Sequence, residues 1–430
     1  MSTTHADPHL HADDAEHSHD HHHAVELHGP VNFQMPAGMR NLAIGLAVAG
    51  AALLGVGVAM GGEHSSWRLW SNLLVAGFFF LMVAGGAGVI LALMHVSKAG
   101  WGIVVRRIPE AVAGAMPVAL VVMLAVGAFG LHDLYEWSHP DIVAADHLLK
   151  LKAPFLNTGW FYGSLVGFIG VWVALVALLR KHSVAQDTDG SEAHTGSSIR
   201  LSVYYLITFG LFVTIGSLLW LMSLEPHWFS TMFGVYQFSG AHKTAAAVCT
   251  LLLVWLIGRG DLKYANENHL HDMGKMMFAY STFWAYIWVS QFLLIWYANM
   301  PEETGYFMIR QDGGWLALFS LNVILNWAIP FFVLLPRPNK RNPKVLVPVA
   351  IILLIGEWLD LYLQVFPATS HFAAHHHKLD LHGPFLGAGE LGAMLLVGGV
   401  FLYVVGQLLG KSSLVPLKDP YLQESLHHEQ

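Results

Sequence analysis

The segment SLEPHWFSTMFGVYQFSGAHK, residues 223–243, joins two long apolar runs. It reads as the end of one membrane helix, a tight turn, and the start of the next. Glu225, His227, His242 and Lys243 stand out because the flanking chain is almost purely apolar. Ionisable groups at membrane depth are costly and face a protein interior or a hydrated path. Glu225 and His227 fall at one face of the bilayer. Lys243 falls roughly 15 Å in at 1.5 Å per residue, close to the middle of a core about 30 Å thick.

Composition agrees with this reading. Of 430 residues, 55% are hydrophobic and 12% charged, with a mean hydropathy of +0.50. Soluble domains carry about 25% charged residues, so the chain reads as a polytopic membrane protein. The net charge of −7 says little, since most of the acid lies in loops and termini. There is no basic stripe of the kind that binds nucleic acid.

Ten apolar runs of spanning length predict an all-α integral membrane fold, with helices near 41–60, 70–94, 109–131, 158–180, 200–224, 233–258, 275–299, 314–335, 344–366 and 385–409. Pro117 is expected to kink the third. Of the 22 Lys and Arg, only Arg68, Lys150, Lys152, Arg310 and Lys378 fall on the Glu225 side, and Lys243 lies inside a helix. The bias of the remainder predicts that the opposite side, with both termini, is cytoplasmic.

Outside the membrane domain at 40–410, residues 1–39 are His-rich and acidic without a signal-peptide pattern, and are expected to be a disordered cytoplasmic tail. Residues 411–430 form a cytoplasmic C-terminal tail. The polar stretch 182–198 is expected to be a flexible linker, and 367–384 an outer loop carrying His371, His375, His376, His377 and His382. Those histidines lack the spacing of a closed zinc site, and no metal site is assigned.

Three membrane carboxyls define the candidate site. Glu357 and Asp360, three apart, share a helix face, roughly 18 and 22 Å in from Val345. Glu390 lies roughly 9 Å below the outer boundary on the last helix. With Lys243, His242, Glu225 and His227 they are candidates for a proton path, because burial moves carboxyl and lysine pKa values toward neutrality. Tyr280, Tyr286, Ser290, Gln291, Asn322 and Asn326 read more readily as interior polar groups holding helices together. Only His242 lies deep in a helix, so paired ligands for a membrane haem are missing. The single Cys249 cannot alone hold an iron–sulfur cluster. No cofactor is expected to be bound by this chain alone.

The 223–243 segment, together with MMFAYSTFWAYIWVSQFLLIWYANMPEETGYFMIR at 276–310 and the QDGGW that follows, resembles the ActF-type membrane subunits of bacterial alternative complex III. That complex is a quinol:cytochrome c, or quinol:oxidase, oxidoreductase whose membrane subunits belong with the NrfD/PsrC-like anchors. The likeness is strongest in the middle third of the chain. It implies two four-helix bundles, roughly 70–224 and 233–366, plus two further helices in the bacterial inner membrane. It implies partners: a homologous quinol-oxidising membrane subunit, an iron–sulfur protein, a multihaem cytochrome c and, in some assemblies, a terminal oxidase. It implies a quinol, with menaquinol one candidate, as the substrate of the complex, and haem c and iron–sulfur clusters in the partner subunits. Two other readings compete: a proton- or metal-coupled secondary transporter, and a purely structural anchor.

Overall fold

The structure is a computed structural model that describes residues 29–61, 65–378, 381 and 383–429. Among the described residues ten helices are long and apolar enough to cross a membrane: α1 (Ala37–Met60), α2 (Ser66–Val96), α3 (Arg107–Leu134), α4 (Thr158–Asp189), α5 (Glu192–Leu224), α6 (Phe233–Arg259), α7 (Glu267–Ala298), α8 (Trp315–Leu334), α9 (Pro343–His377) and α10 (Ala388–Leu409). Among the described residues there is no strand. The protein is an all-α, multi-pass membrane protein.

Helices α2–α5 close into one four-helix ring and α6–α9 into a second. The rings meet where α2 and α5 pack on α6 and α2 packs on α9. Helix α2 therefore has protein on nearly every side, and it is apolar all round. Helices α1 and α10 pair outside the rings, with α10 resting on α2 and α3. Their closeness depends on glycine. A Cβ on Gly50 would stand 2.7 Å from the Gly392 carbonyl oxygen, and one on Gly399 would stand 2.6 Å from that of Ala43. Small residues allow such backbone approach inside a membrane, where packing rather than water drives association.

Several helices outrun the lengths expected from hydropathy. A 32-residue helix such as α4 is about 48 Å long, so its polar end projects well past a core of about 30 Å. The stretch 182–198 is accordingly not a flexible linker: it is helical on both sides of a turn at Gly190 and Ser191. Gly190 takes the left-handed conformation at φ 69° that glycine adopts without penalty. Ser191 then caps α5 by accepting from the Ala193 N–H, and Gln186 donates to Thr195 across the turn at 2.8 Å.

Helix α9 likewise continues through Pro367 to His377. This makes His371, His375, His376 and His377 helical, not loop residues, whereas His382 lies outside the described residues. Helix α3 breaks at Ala115, and Pro117 sits in the first turn of the piece that follows, where a missing N–H costs nothing.

The two tails also differ from expectation. Residues 1–28 lie outside the described residues, but Phe33 is buried and the Leu414 N–H donates to the Val31 carbonyl at 2.9 Å. The C-terminal segment packs against the membrane domain. Asp419 pairs with Arg106 at 2.7 Å, Ser425 accepts from the Val104 N–H at 3.1 Å, and His428 lies 2.8 Å from Asp272. It ties the α2–α3 connection of the first ring to α7 of the second.

Candidate functional site

The interior of the second ring holds a chain of polar side chains that starts at Lys243. Ten rises into α6, about 15 Å, Lys243 is fully buried and its Nζ lies 2.8 Å from Glu357 Oε2 on α9. The ammonium is off the hydrogen-bonding direction of that oxygen, which has no aligned donor. The contact is an ion pair by proximity. Two glycines make room for it. A Cβ on Gly240 would overlap the Glu357 carboxylate, and one on Gly356 would stand 2.6 Å from Asn326 Oδ1. The indole of Trp284 lies 4.3 Å from Nζ and supplies a π face.

The aligned bond from Lys243 goes to Asn326 Oδ1 on α8. Asn326 Nδ2 donates to Asn322 Oδ1 at 2.6 Å, and Asn322 Nδ2 donates to Asp360 Oδ1 at 2.7 Å. A single π-turn over Ile324–Ala328 locally resets the helix phase and contains Asn326. Such bulges concentrate at functional sites.

Asp360 is the hub. Besides Asn322 it accepts from the Tyr236 hydroxyl, from Gln364 Nε2 at 3.1 Å and, at the long distance of 3.4 Å, from Trp284 Nε1. Gln237 donates to Gln364 Oε1 at 2.6 Å. Glu357, Asp360 and Gln364 fall at i, i+3 and i+7 of one helix, a single face.

Beyond Asp360 the chain reaches the Glu225 end of the ring through Arg310. This guanidinium is buried and donates to the Leu363 carbonyl at 2.8 Å, the Gln364 carbonyl at 3.0 Å, the Tyr306 carbonyl at 2.6 Å and Glu225 Oε1 at 2.5 Å. It stacks 3.4 Å from the centre of the Tyr306 ring, which itself stacks on Trp228 at 3.9 Å. A cavity of about 20 Å³ lies between these groups, lined by Tyr236, Gln291, Arg310, Asn322, Asp360 and Gln364. That is room for one water with polar partners on several sides.

The structure therefore joins three of the seven candidates, Lys243, Glu357 and Asp360, and adds Glu225 through Arg310. The remaining three stand apart. His227 is half exposed and bonds Asp146 at 2.6 Å, which holds the Asp146 carboxyl below its usual range. His242 bonds the Phe238 carbonyl at 2.6 Å and packs on Tyr280. Glu390, in the first turn of α10, is gripped bidentately by Arg68 at 2.7 and 2.8 Å and accepts from Asn72 at 3.1 Å. It is a separate ion pair that no contact links to Asp360.

Sequence reading missed Tyr236, Gln364 and Arg310, and it treated the two asparagines as glue. Gln364 was open to discovery from its i+7 spacing to Glu357. Arg310 was not, because only folding brings the Pro301–Gln311 helix over α9. A second buried cluster was also missed. At the Arg- and Lys-rich end of the first ring, Glu110 lies 2.8 Å from Arg107 and 3.8 Å from Arg106, and accepts from Ser183 at 2.7 Å. Arg107 bridges on to Asp187 at 2.5 Å. His269 and His271 are buried on α7 near the same end of the second ring. Among the described residues no group of three His, Cys, Asp or Glu side chains is placed to hold a metal ion. No family model matches this chain, and no curated protein matches it.

Proposed function

We propose that this chain is a proton-conducting membrane subunit of a respiratory quinol oxidoreductase of the alternative complex III type, with no redox centre of its own. The observation that carries the proposal is the buried chain from the Lys243–Glu357 pair through Asp360 to Glu225. Amide side chains position but do not relay protons readily. The carrying groups are the Tyr236 hydroxyl, Asp360 and a water in the adjoining cavity, and the two asparagines hold the Lys243–Glu357 pair in line with them. A purely structural ion pair needs neither a hydroxyl on the carboxylate nor a cavity beside it. The two sequence segments that resemble ActF-type subunits support the same reading, since 223–243 contributes Glu225, Tyr236, Gln237 and Lys243 and 276–310 contributes Trp284 and Arg310.

The Lys and Arg bias supports an orientation with both termini cytoplasmic, and the resemblance implies the bacterial inner membrane. The polar chain then opens toward the periplasmic side, where an iron–sulfur protein and a multihaem cytochrome c would dock. A homologous membrane subunit would oxidise the quinol. Purification in mild detergent tests the assembly: this chain should bring c-type haem absorbance and an iron–sulfur protein with it. Isolation alone or as a homo-oligomer would argue for a transporter. The conduction claim is tested by Asp360→Asn in the reconstituted complex. The proton-to-electron ratio should fall while quinol turnover persists, and an unchanged ratio returns the chain to a structural anchor.

A further inference from the structure

A crevice separates the α1–α10 pair from α6 and α9, because that pair rests on α2 and α3 instead. It holds an apolar cavity of about 670 Å³ lined by Met39, Leu42, Leu252, Trp255, Val347 and Leu402. A second cavity of about 550 Å³ continues it one turn further on, at Val248 of α6 and Ile351 of α9. Each lies in the range of ligand sites, about 300–1,000 Å³. From Arg259 back to Val248 is eleven rises of α6, about 16 Å, or half of a core about 30 Å thick. The first cavity is thus as deep as one leaflet, and the second runs on toward Gly387 and Glu390 at the opposite end of α10.

Its mouth is cationic. Arg259 lines the cavity and lies over Trp255, 5.1 Å from the ring centre. Among the described residues its one ionic partner is Asp261 at 2.7 Å, with both side chains partly exposed. Such a pair is worth little, so it leaves Arg259 open to a stronger bidentate acceptor. The first turn of α1 also lines the mouth through Pro36 and Gly38, with no side-chain cap and no acid in that turn. Uncapped helix N–H groups favour an anion. Exposed Arg40 lies in the same turn of α1 as Met39 and Leu42.

We infer that this crevice is a binding site for one anionic glycerophospholipid. Its phosphate sits at Arg259 and the start of α1, and one acyl chain runs along α6. The lipid would complete the packing between the outer helix pair and the second ring. The site is independent of the polar chain at Asp360 and of any role in proton transfer.

The test uses the full-length protein in whatever complex it purifies with. After delipidation and incubation with phosphatidylglycerol or phosphatidylcholine vesicles, bound lipid is counted by native mass spectrometry. Wild type should retain one phosphatidylglycerol per chain. Retention should drop at least tenfold in Arg259→Ala, which changes an exposed side chain, and in Leu42→Trp, which fills the slot and leaves the cations intact. Equal retention in wild type and both variants would mean a general lipid annulus and would overturn the site. So would equal retention of the two lipids, recovery of a quinone in place of phospholipid, or cross-linking of a protein segment to position 42.

Discussion

The two four-helix rings share a plan and differ in where they keep their charge. In the α2–α5 ring the buried ions, Glu110 with Arg106, Arg107 and Asp187, sit at one end. Its middle is closed by aromatic packing and neutral bonds, such as the Tyr205 hydroxyl to the Gly85 carbonyl at 2.9 Å and Trp220 to Ser164 at 2.9 Å. In the α6–α9 ring the ions lie in the middle and lead out toward the end where Glu225 stands. The end cluster is buried, but every charge in it has an ionic partner and it lies next to the aqueous boundary. One at mid-depth costs several kcal/mol per ion unless paired. Under the proposed function, the first ring is scaffold and the second the working half.

Identical chemistry applied to both rings sharpens this contrast. Glu357→Gln should have the largest effect. It leaves Lys243 charged and unpaired at mid-depth, at a cost of about 3–5 kcal/mol, seen as a lowered thermal midpoint in detergent. Adding Lys243→Met should recover much of the loss, since removing both charges removes the orphan. A double variant no more stable than the single one would mean the two residues do not act as a pair.

Glu110→Gln in the first ring is expected to cost about 1.5–3 kcal/mol, the range for charge-assisted hydrogen bonds, with no change in the proton-to-electron ratio. A changed ratio would break the division between scaffold and conduit. Gly240→Ala comes next, at about 1–3 kcal/mol, the usual cost of overpacking. Its Cβ pushes against the Glu357 carboxylate, so it should also slow proton transfer while every ionisable group remains. The same substitution at Gly258, whose Cβ would meet nothing, should be silent.

The smallest effect belongs to the surface. The His227 hydrogen bond lowers the Asp146 pKa, so this bond contributes above the ordinary aspartate range and fades as acid titrates the folded carboxyl. His227→Asn should lower the midpoint slightly at neutral pH, and the difference from wild type should vanish once acid has protonated Asp146. A large shift at neutral pH would show that the turn at 225–232 matters more than its exposed pairing suggests.

The sequence by itself determined the ten spanning helices, because a stretch that must satisfy its backbone in lipid has to be helical and apolar for about twenty residues. It also located Lys243, Glu357 and Asp360, since charge inside such a run is conspicuous. It misjudged 182–198 and 367–377, where helices continue past the membrane and hydropathy has nothing to report. Only tertiary structure decided which charges meet. Arg68 and Glu390 are 322 positions apart, and Arg310 and Glu225 are 85 apart; no local period links such pairs. Glu390 and Asp360 looked alike as isolated carboxyls on neighbouring helices. Packing gave one a bidentate arginine and the other a hydroxyl, two amides and a cavity, because a partner is chosen by which helix faces turn toward each other.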